Sequence, residues 1–267
     1  MLRIIIDGAR DPQYNMAIDE AILNLRQEFE FNTLRIYMWI PSGVTIGRNQ
    51  NIDAVKLNEI KLLGYKLVRR PTGGGALLHP QDYEITYSVV LAEKHPISKL
   101  GLEESASAIA KGIVNALKIL GIKEVSIKGP GENVKHNICY LRKGSSDVIL
   151  YGKKVSGSAQ FRKNGLLLQH GTVLLKFDPQ TWLKVINIPS EKLNELLNNV
   201  SGIYDLIGKV SLKELINALI DGFTEALGEK DVFKSSLTSE EIETASTLLT
   251  NKYSNDKWNI YGIGEAS

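Results

Sequence analysis

The segment that most constrains this chain is a short strand pattern, Tyr65-Lys66-Leu67-Val68-Arg69, that runs straight into Arg70-Pro71-Thr72-Gly73-Gly74-Gly75-Ala76-Leu77-Leu78-His79. Three successive glycines let a backbone pass close to a neighbour, because no Cβ intrudes. Their N–H groups can point at an anion, and Arg69 and Arg70 beside them supply charge and forked donors. No Gly-Lys-Ser/Thr follows, so the segment is not a P-loop. No helical periodicity follows either, so it is not the dinucleotide-binding turn. What remains is a flexible turn between strands or a ligand loop, and the arginine pair favours the ligand loop.

The surrounding pattern is mixed. Residues 2–6 read as a short buried strand. Asn15 stands where an N-cap would, ahead of Ile18, Ile22, Leu25 and Phe29 on one helical face. Residues 33–45 are β-branched and aromatic and are broken by Pro41-Ser42-Gly43, which predicts two strands and a turn. Asp53 is placed to cap a short helix that Gly64 ends. Residues 84–91 read as a strand. Ile109, Ile113, Leu117 and Leu120 place a helix over 104–120, stopped by Gly121. Residues 129–146 are polar, contain glycine and lack periodicity, so they read as a loop. Strand-like runs follow at 148–151, 166–169 and 172–175, with a turn at Gly152-Lys153 and a break at Gly171. Ser211–Glu214 and Thr238–Glu241 are capping boxes; the first opens a helix with Leu215, Leu219 and Phe223 on one side. Strands and helices without strict βαβ alternation predict an α+β fold of mixed sheets packed with helices.

Composition narrows the function. At 267 residues, 43% hydrophobic and 23% charged, the chain is neither disordered, collagenous nor a coiled coil. Thirty-two basic against 30 acidic residues is too balanced for a dedicated nucleic-acid or anionic-membrane binder. The single cysteine, Cys139, cannot form an internal disulfide, and with four histidines it makes a poor zinc set, so no metal is expected. No apolar run approaches the ~18–20 residues of a membrane span, and the N-terminal apolar stretch is too short for a signal peptide. The expectation is a cytoplasmic protein in a reducing compartment, with no membrane and no nucleic-acid partner.

Three further segments bear on chemistry. In Lys153-Lys154-Val155-Ser156-Gly157-Ser158-Ala159-Gln160, small residues open space for a ligand beside a lysine that can pair with a carbonyl, a phosphate or a thiolate. Taken alone, the segment reads rather as a β-hairpin with exposed lysines. In Gln169-His170-Gly171-Thr172, a histidine at a strand break is more often structural than catalytic. A free cysteine is more often buried and inert than catalytic, but Cys139 sits among Lys135, His136, Arg142 and Lys143, a basic setting of the kind that stabilises a thiolate.

Taken in order, Arg-Arg-Pro-Thr-Gly-Gly-Gly-Ala-Leu-Leu-His, Lys-Val-Ser-Gly-Ser-Ala-Gln and Gln-His-Gly-Thr-Val-Leu-Leu resemble the biotin/lipoate protein ligase catalytic domain superfamily. The likeness runs from Asn15-Met16-Ala17 and Asp19-Glu20 to Lys252-Tyr253 and Trp258-Asn259. It implies a catalytic domain over 1–235, with 236–267 a short helical extension of the same unit. The chain looks most similar to the cysteine-dependent octanoyltransferase class. Cys139 precedes Lys154 by fifteen positions, and His79 is followed by Glu84-Ile85-Thr86-Tyr87-Ser88, which resembles that class's His…Glu-x-Thr-Tyr-Ser pattern.

That resemblance implies transfer of an octanoyl group from octanoyl-acyl carrier protein to a lipoyl-domain lysine, on a glycine-cleavage H protein or a dehydrogenase E2 subunit. Cys139 and Lys154 would be catalytic, with no cofactor. Arg69, Arg70, Gly73, Gly74, Gly75, His79, Gly157, Ser158, Ala159, His170, Gly171 and Thr172 would bind substrate. His79 would hydrogen-bond in the acyl pocket without transferring a proton. Gly73-Gly74-Gly75 is the ligase form of the loop, so the alternative is an ATP- and Mg-dependent lipoate–protein ligase. In that case Arg69 and Arg70 would receive the acyl-adenylate phosphate and Cys139 would be incidental. A third reading, a non-catalytic acyl-binding partner, would be indifferent to loss of Cys139 and Lys154.

Overall fold

Side-chain alternation along a few long strands decides which helices cover which face of the molecule. The computed structural model describes residues 1–29, 31–128 and 146–262. Cys139, and the predicted loop up to residue 145, lie outside them. The chain runs through β1 (Leu2–Arg10), α1 (Pro12–Leu25), β2 (Asn32–Trp39), β3 (Gly43–Ile46), α2 (Leu57–Leu62), β4 (Lys66–Arg69), β5 (Leu77–His79), β6 (Glu84–Leu91) and α3 (Leu102–Ile119). It continues through β7 (Val125–Ile127), β8 (Val148–Leu150), β9 (Lys153–Lys163), β10 (Leu166–Leu174), α4 (Pro179–Val185), α5 (Ser190–Asn199), α6 (Ile203–Ile207), α7 (Leu212–Ala226), β11 (Val232–Lys234), α8 (Ser239–Leu248) and α9 (Asp256–Asn259). Among the described residues, no helix is long and apolar enough to cross a membrane.

The large sheet has the order β11-β1-β2-β6-β10-β9-β8-β7. β1 is parallel to β2 and β11, and the remaining neighbours are antiparallel. A small sheet, β4-β3-β5, pairs β3 parallel to β4 and antiparallel to β5. Mixed sheets packed with helices are the α+β architecture the sequence predicts.

Leu34, Ile36, Tyr87, Val89, Leu167 and Val173 face α3 and α7, where Ile109, Ile113, Leu219 and Phe223 complete one core. Their strand neighbours Tyr37, Trp39, Val90 and Leu168 face the other way, against Met16, Ile18 and Ile22 of α1 and Ala245 of α8. The small sheet packs Val44, Ile46 and Leu78 against Trp182 and Leu196.

Three local expectations change. The first helix starts earlier than Asn15 predicts: Asp11 is its N-cap, accepting the N–H groups of Gln13 and Tyr14, with Pro12 at the first turn. Asn15 is buried inside the helix and donates to the Met38 carbonyl. Asp53 does not cap a helix; Asn51 accepts the Asp53 N–H in a short 3-10 turn, and α2 begins at Leu57 without a side-chain cap. Gly64, with φ +68, does close that helix. Gly171 does not break the strand: β10 is continuous, pairing with β6 on one side and β9 on the other. The capping box at Thr238 is complete, with both reciprocal bonds to Glu241. Glu241 also forms a buried ion pair with Arg3, so the cap ties α8 to β1.

Candidate active site

A pocket opens on the α1 face of the large sheet. It gathers eight of the expected residues: Arg70, His79, Gly157, Ser158, Ala159, His170, Gly171 and Thr172. Strand register explains the assembly. Thr172 pairs with Gly157, Gly171 with Ser158 and His170 with Ala159, so two segments distant in sequence become one wall. Met16, Tyr37, Trp39, Leu77 and Thr86 complete the lining. Small residues on β9 and β10 leave the space, and aromatic and aliphatic groups close it, as suits an apolar chain.

The polar atoms of this wall are bonded to one another. His79 lies between Thr45 (Nε2 to Oγ1, 2.9 Å) and Glu84 (Nδ1 to Oε1, 2.7 Å), stacked on Trp39 with ring centroids 3.9 Å apart. His170 lies between Thr72 (Nε2 to Oγ1, 2.7 Å) and Asp19 (Nδ1 to Oδ2, 3.2 Å). Asp19 is fully buried and also accepts from Tyr37 (2.8 Å), Ser88 (2.8 Å) and Arg35 (2.8 Å). Burial opposes the Asp19 charge, but the His170 hydrogen bond and the Arg35 guanidinium outweigh it, so its pKa falls below the usual carboxylate value. Burial lowers the pKa of His170 despite its Asp19 bond, which keeps the ring neutral at neutral pH. Burial, with the Asp19 charge beside it, pushes the Tyr37 phenol well above 10.

The two arginines of the glycine loop part company. Arg70 donates to Thr45 Oγ1 (2.5 Å) and to the carbonyls of Gly73 (2.9 Å) and Gly75 (3.0 Å), so it holds the loop from inside. Gly73, Gly74 and Gly75 are therefore beside the pocket and outside its lining. Arg69 faces the other way. Its guanidinium donates to the carbonyls of Gly47, Arg48, Gln50, Trp258 and Ile260, which locks the C-terminal segment in place. Arg69 was expected to meet substrate; in this structure its donors are engaged by backbone.

Lys154 is buried on β9, with Nζ 2.8 Å from Asp147 Oδ1. Its side chain lies across Gly157, where an added Cβ would stand 3.2 Å from Lys154 Cε and 3.4 Å from Nζ. The ammonium thus sits beside the pocket wall that Gly157 lines. Ser158 Oγ donates to Ser146 Oγ (2.9 Å), which pins the residue before Asp147 to the same strand.

Sequence reasoning missed Asp147, Thr45, Tyr37 and Trp39, and gave Asp19 and Glu84 no chemical role. Asn15 and Asp19 left a signal, being polar and one helical turn apart on a face otherwise made of Ile18 and Ile22.

Comparison with known proteins gives this site a family. An octanoyltransferase LipM from Brevibacillus brevis is 35% identical over 97% of this chain and 98% of its own length. The bi-partite lipoate protein ligase of Thermoplasma acidophilum, studied with its E2 lipoyl domain, is 28% identical, with a TM-score of 0.81 over 99% of this chain and 98% of that one. A lipoate-protein ligase A bound with ATP is 27% identical, with a TM-score of 0.81 over 98% and 99% of the two chains. Residues 11–224, which include every pocket-lining side chain, match the lipoyl protein ligase A/B catalytic domain, and the chain belongs to that family.

Proposed function

We propose that this chain is a protein octanoyltransferase of lipoate metabolism, carrying an octanoyl group from acyl carrier protein to a lysine of a lipoyl domain through an acyl-thioester on Cys139. The observation that carries the reading is the near full-length similarity to curated octanoyltransferases. The geometry supports it. The pocket is apolar in its lining, and the cations near it are committed: Arg70 to the glycine loop and Lys154 to Asp147. That surface suits an acyl chain better than a polyphosphate.

In this scheme the Cys139 thiolate attacks the donor thioester carbonyl. A new C–S bond forms, the old one breaks, and the departing carrier thiolate takes a proton. The acceptor lysine, as a free amine, then attacks the octanoyl-Cys139 carbonyl. The amide forms, the Cys139 thiolate leaves, and the amine proton passes to solvent. An oxyanion develops in each half-reaction, and in this reading the Lys154 ammonium, which is also paired with Asp147, stabilises it. A cytoplasmic location belongs to the same reading, because Cys139 must remain a thiol. So does the inclusion of 236–267 in the catalytic unit, supported by the bonds from Arg69 to the carbonyls of Trp258 and Ile260.

The deciding experiment is incubation with octanoyl-acyl carrier protein, without ATP, followed by intact mass measurement. A gain of one octanoyl group, reversed by hydroxylamine and absent in Cys139→Ser, is the expected result. The second reading, ATP-dependent ligation, is favoured by the fold shared with the ATP-bound ligase. Arg69, which that reading assigns to the acyl-adenylate phosphate, is engaged by the carbonyls of Trp258 and Ile260 and gives it no support. Absence of the adduct, together with acyl-dependent ATP–pyrophosphate exchange lost in Lys154→Ala, would replace the first reading by the second.

A further inference from the structure

We propose that Glu84 is a positioning residue that fixes the glycine-rich loop at a distance, through His79, Thr45 and Arg70. Glu84 opens β6 and is fully buried, outside the pocket lining. Its Oε1 meets His79 Nδ1 at 2.7 Å and accepts the Thr86 hydroxyl at 2.6 Å. Its second oxygen, Oε2, is buried without a hydrogen-bond partner among the described residues. With Glu84 as a carboxylate, which only accepts, the His79 proton sits on Nδ1. That leaves Nε2 as an acceptor for the Thr45 hydroxyl, 2.9 Å away. The Thr45 oxygen in turn accepts Arg70 Nη1, and Arg70 Nη2 holds the carbonyls of Gly73 and Gly75. From Glu84 to Thr45 the direction of each bond is set by the acid at the end, and Arg70 carries the series on to two loop carbonyls. Trp39, stacked on the imidazole at 22°, keeps the ring from tilting out of line.

Removing the acid frees His79 to carry its proton on Nε2. The Thr45 hydroxyl then loses its acceptor, and the Thr45 oxygen faces donors from both His79 and Arg70. The loop that Arg70 holds, and the Arg70 and His79 faces of the acyl pocket, lose their single arrangement. The kinetic consequence rests on the octanoyl-transfer reading; the hydrogen-bond series does not.

Two measurements test the role. Nitrogen-15 NMR of the four histidines reads the His79 tautomer without reference to any reaction. It is expected to show Nδ1–H in the wild type and to lose that signature in Glu84→Leu. Steady-state transfer is the second measurement. Glu84→Leu and Thr45→Val are each expected to raise the KM for octanoyl-acyl carrier protein roughly tenfold with little change in kcat, as for a buried bond left unmade. Glu84→Gln, which keeps an acceptor oxygen, should recover most of the loss, and Thr45→Ser likewise. The double variant Glu84→Leu/Thr45→Val should be no worse than its poorer parent, because both break one series. An Nε2–H tautomer in the wild type overturns the proposal. So do losses that multiply to about a hundredfold, which independent damage would give. If Glu84→Leu does not fold, the Thr45 pair and the wild-type tautomer decide the matter. If the wild type transfers no octanoyl group, the reaction reading falls and the tautomer still decides the relay.

Discussion

Gly157→Ala separates the position of the Lys154 ammonium from its presence. An alanine Cβ at 157 would stand 3.2 Å from Lys154 Cε, 3.4 Å from Nζ and 3.6 Å from Asp147 Oδ1. Carbon–carbon contacts settle at about 3.5–4.0 Å. The lysine end must therefore shift by a few tenths of an ångström, which disturbs its 2.8 Å contact with Asp147. The obstacle is the tip of a flexible side chain, and Gly157 is not in the left-handed region. The stability change should stay within about 1 kcal/mol, a Tm shift of no more than ~4 °C for a chain of this size. Catalysis is less forgiving: a displacement near 1 Å costs about a hundredfold, so roughly half of that distance should lower kcat about tenfold.

Gly47→Ala is the contrasting case. Its Cβ would stand 2.2 Å from the Gly74 carbonyl oxygen, which is backbone and cannot step aside. That variant should lose at least about 2 kcal/mol along with activity. Octanoyl transfer to a lipoyl domain, followed by mass, and melting by circular dichroism read both variants. Full kcat in Gly157→Ala beside a dead Lys154→Ala would refute the claim that the ammonium must lie where it does. A Tm loss beyond ~6 °C in Gly157→Ala would show that something stiffer than the lysine is in the way.

Three other outcomes are expected. Asp147→Asn removes the carboxylate of a buried ion pair and should cost up to about 3 kcal/mol, while Asp147→Asn/Lys154→Met should recover much of that stability without activity; strictly additive losses in urea melts would refute the pairing. At high pH, burial pushes the Tyr87 phenol up to about 12, and Tyr37 and Tyr253 shift the same way. A folded pKa above the unfolded value of about 10 means stability is intact below pH ~10 and lost between ~10 and ~12, by on the order of 2–3 kcal/mol for Tyr87 alone. Melts that are flat across that window, or unchanged in slope by Tyr87→Phe, would contradict it. At low pH, His170 stays neutral in the fold where the unfolded chain takes a proton, so stability should begin to fall below pH ~6.5. The depressed pKa of Asp19 adds a further loss below pH ~4. His170→Asn should shrink the first phase, to which the buried His95 also contributes, and weaken the second, because the His170 hydrogen bond helps hold the Asp19 pKa down.

The parts of this molecule that were legible in the sequence are those whose cause is local. Residues 84–91 form the expected strand, and Ser211 caps its helix by accepting the Glu214 N–H, which is half of the predicted capping box. The small residues at 157–159 and 171 mark the pocket because a narrow side chain is itself what makes room. Gly171 was misplaced as a break because a glycine looks alike in a turn and in a crowded strand. Here an added Cβ would stand 2.8 Å from the Gly157 carbonyl and from the Tyr87 ring, so the glycine serves the sheet's own packing. The acids were harder to find. Asp19 meets His170 across 151 positions, and no pattern of neighbours announces such a partner. Asp11 could have been preferred to Asn15 as the helix cap, since Pro12 suits a first turn and nothing else nearby does.

The arginine pair shows what a strand's period alone could have decided. Successive side chains on a strand point to opposite faces, so Arg69, which ends β4, and Arg70, which follows it, could not both reach one ligand. Arg70 takes the pocket side and is spent on Gly73 and Gly75; Arg69 takes the far side and is spent on Trp258 and Ile260. Each therefore fixes backbone in place: one the glycine loop beside the pocket, the other the C-terminal segment. A pair of cations beside three glycines reads as an anion site when their directions are ignored. With directions included, Arg70 holds the glycine loop and Arg69 the C-terminal segment, and in the octanoyl-transfer reading it is Lys154, paired with Asp147, that is proposed to act on the reacting carbonyl.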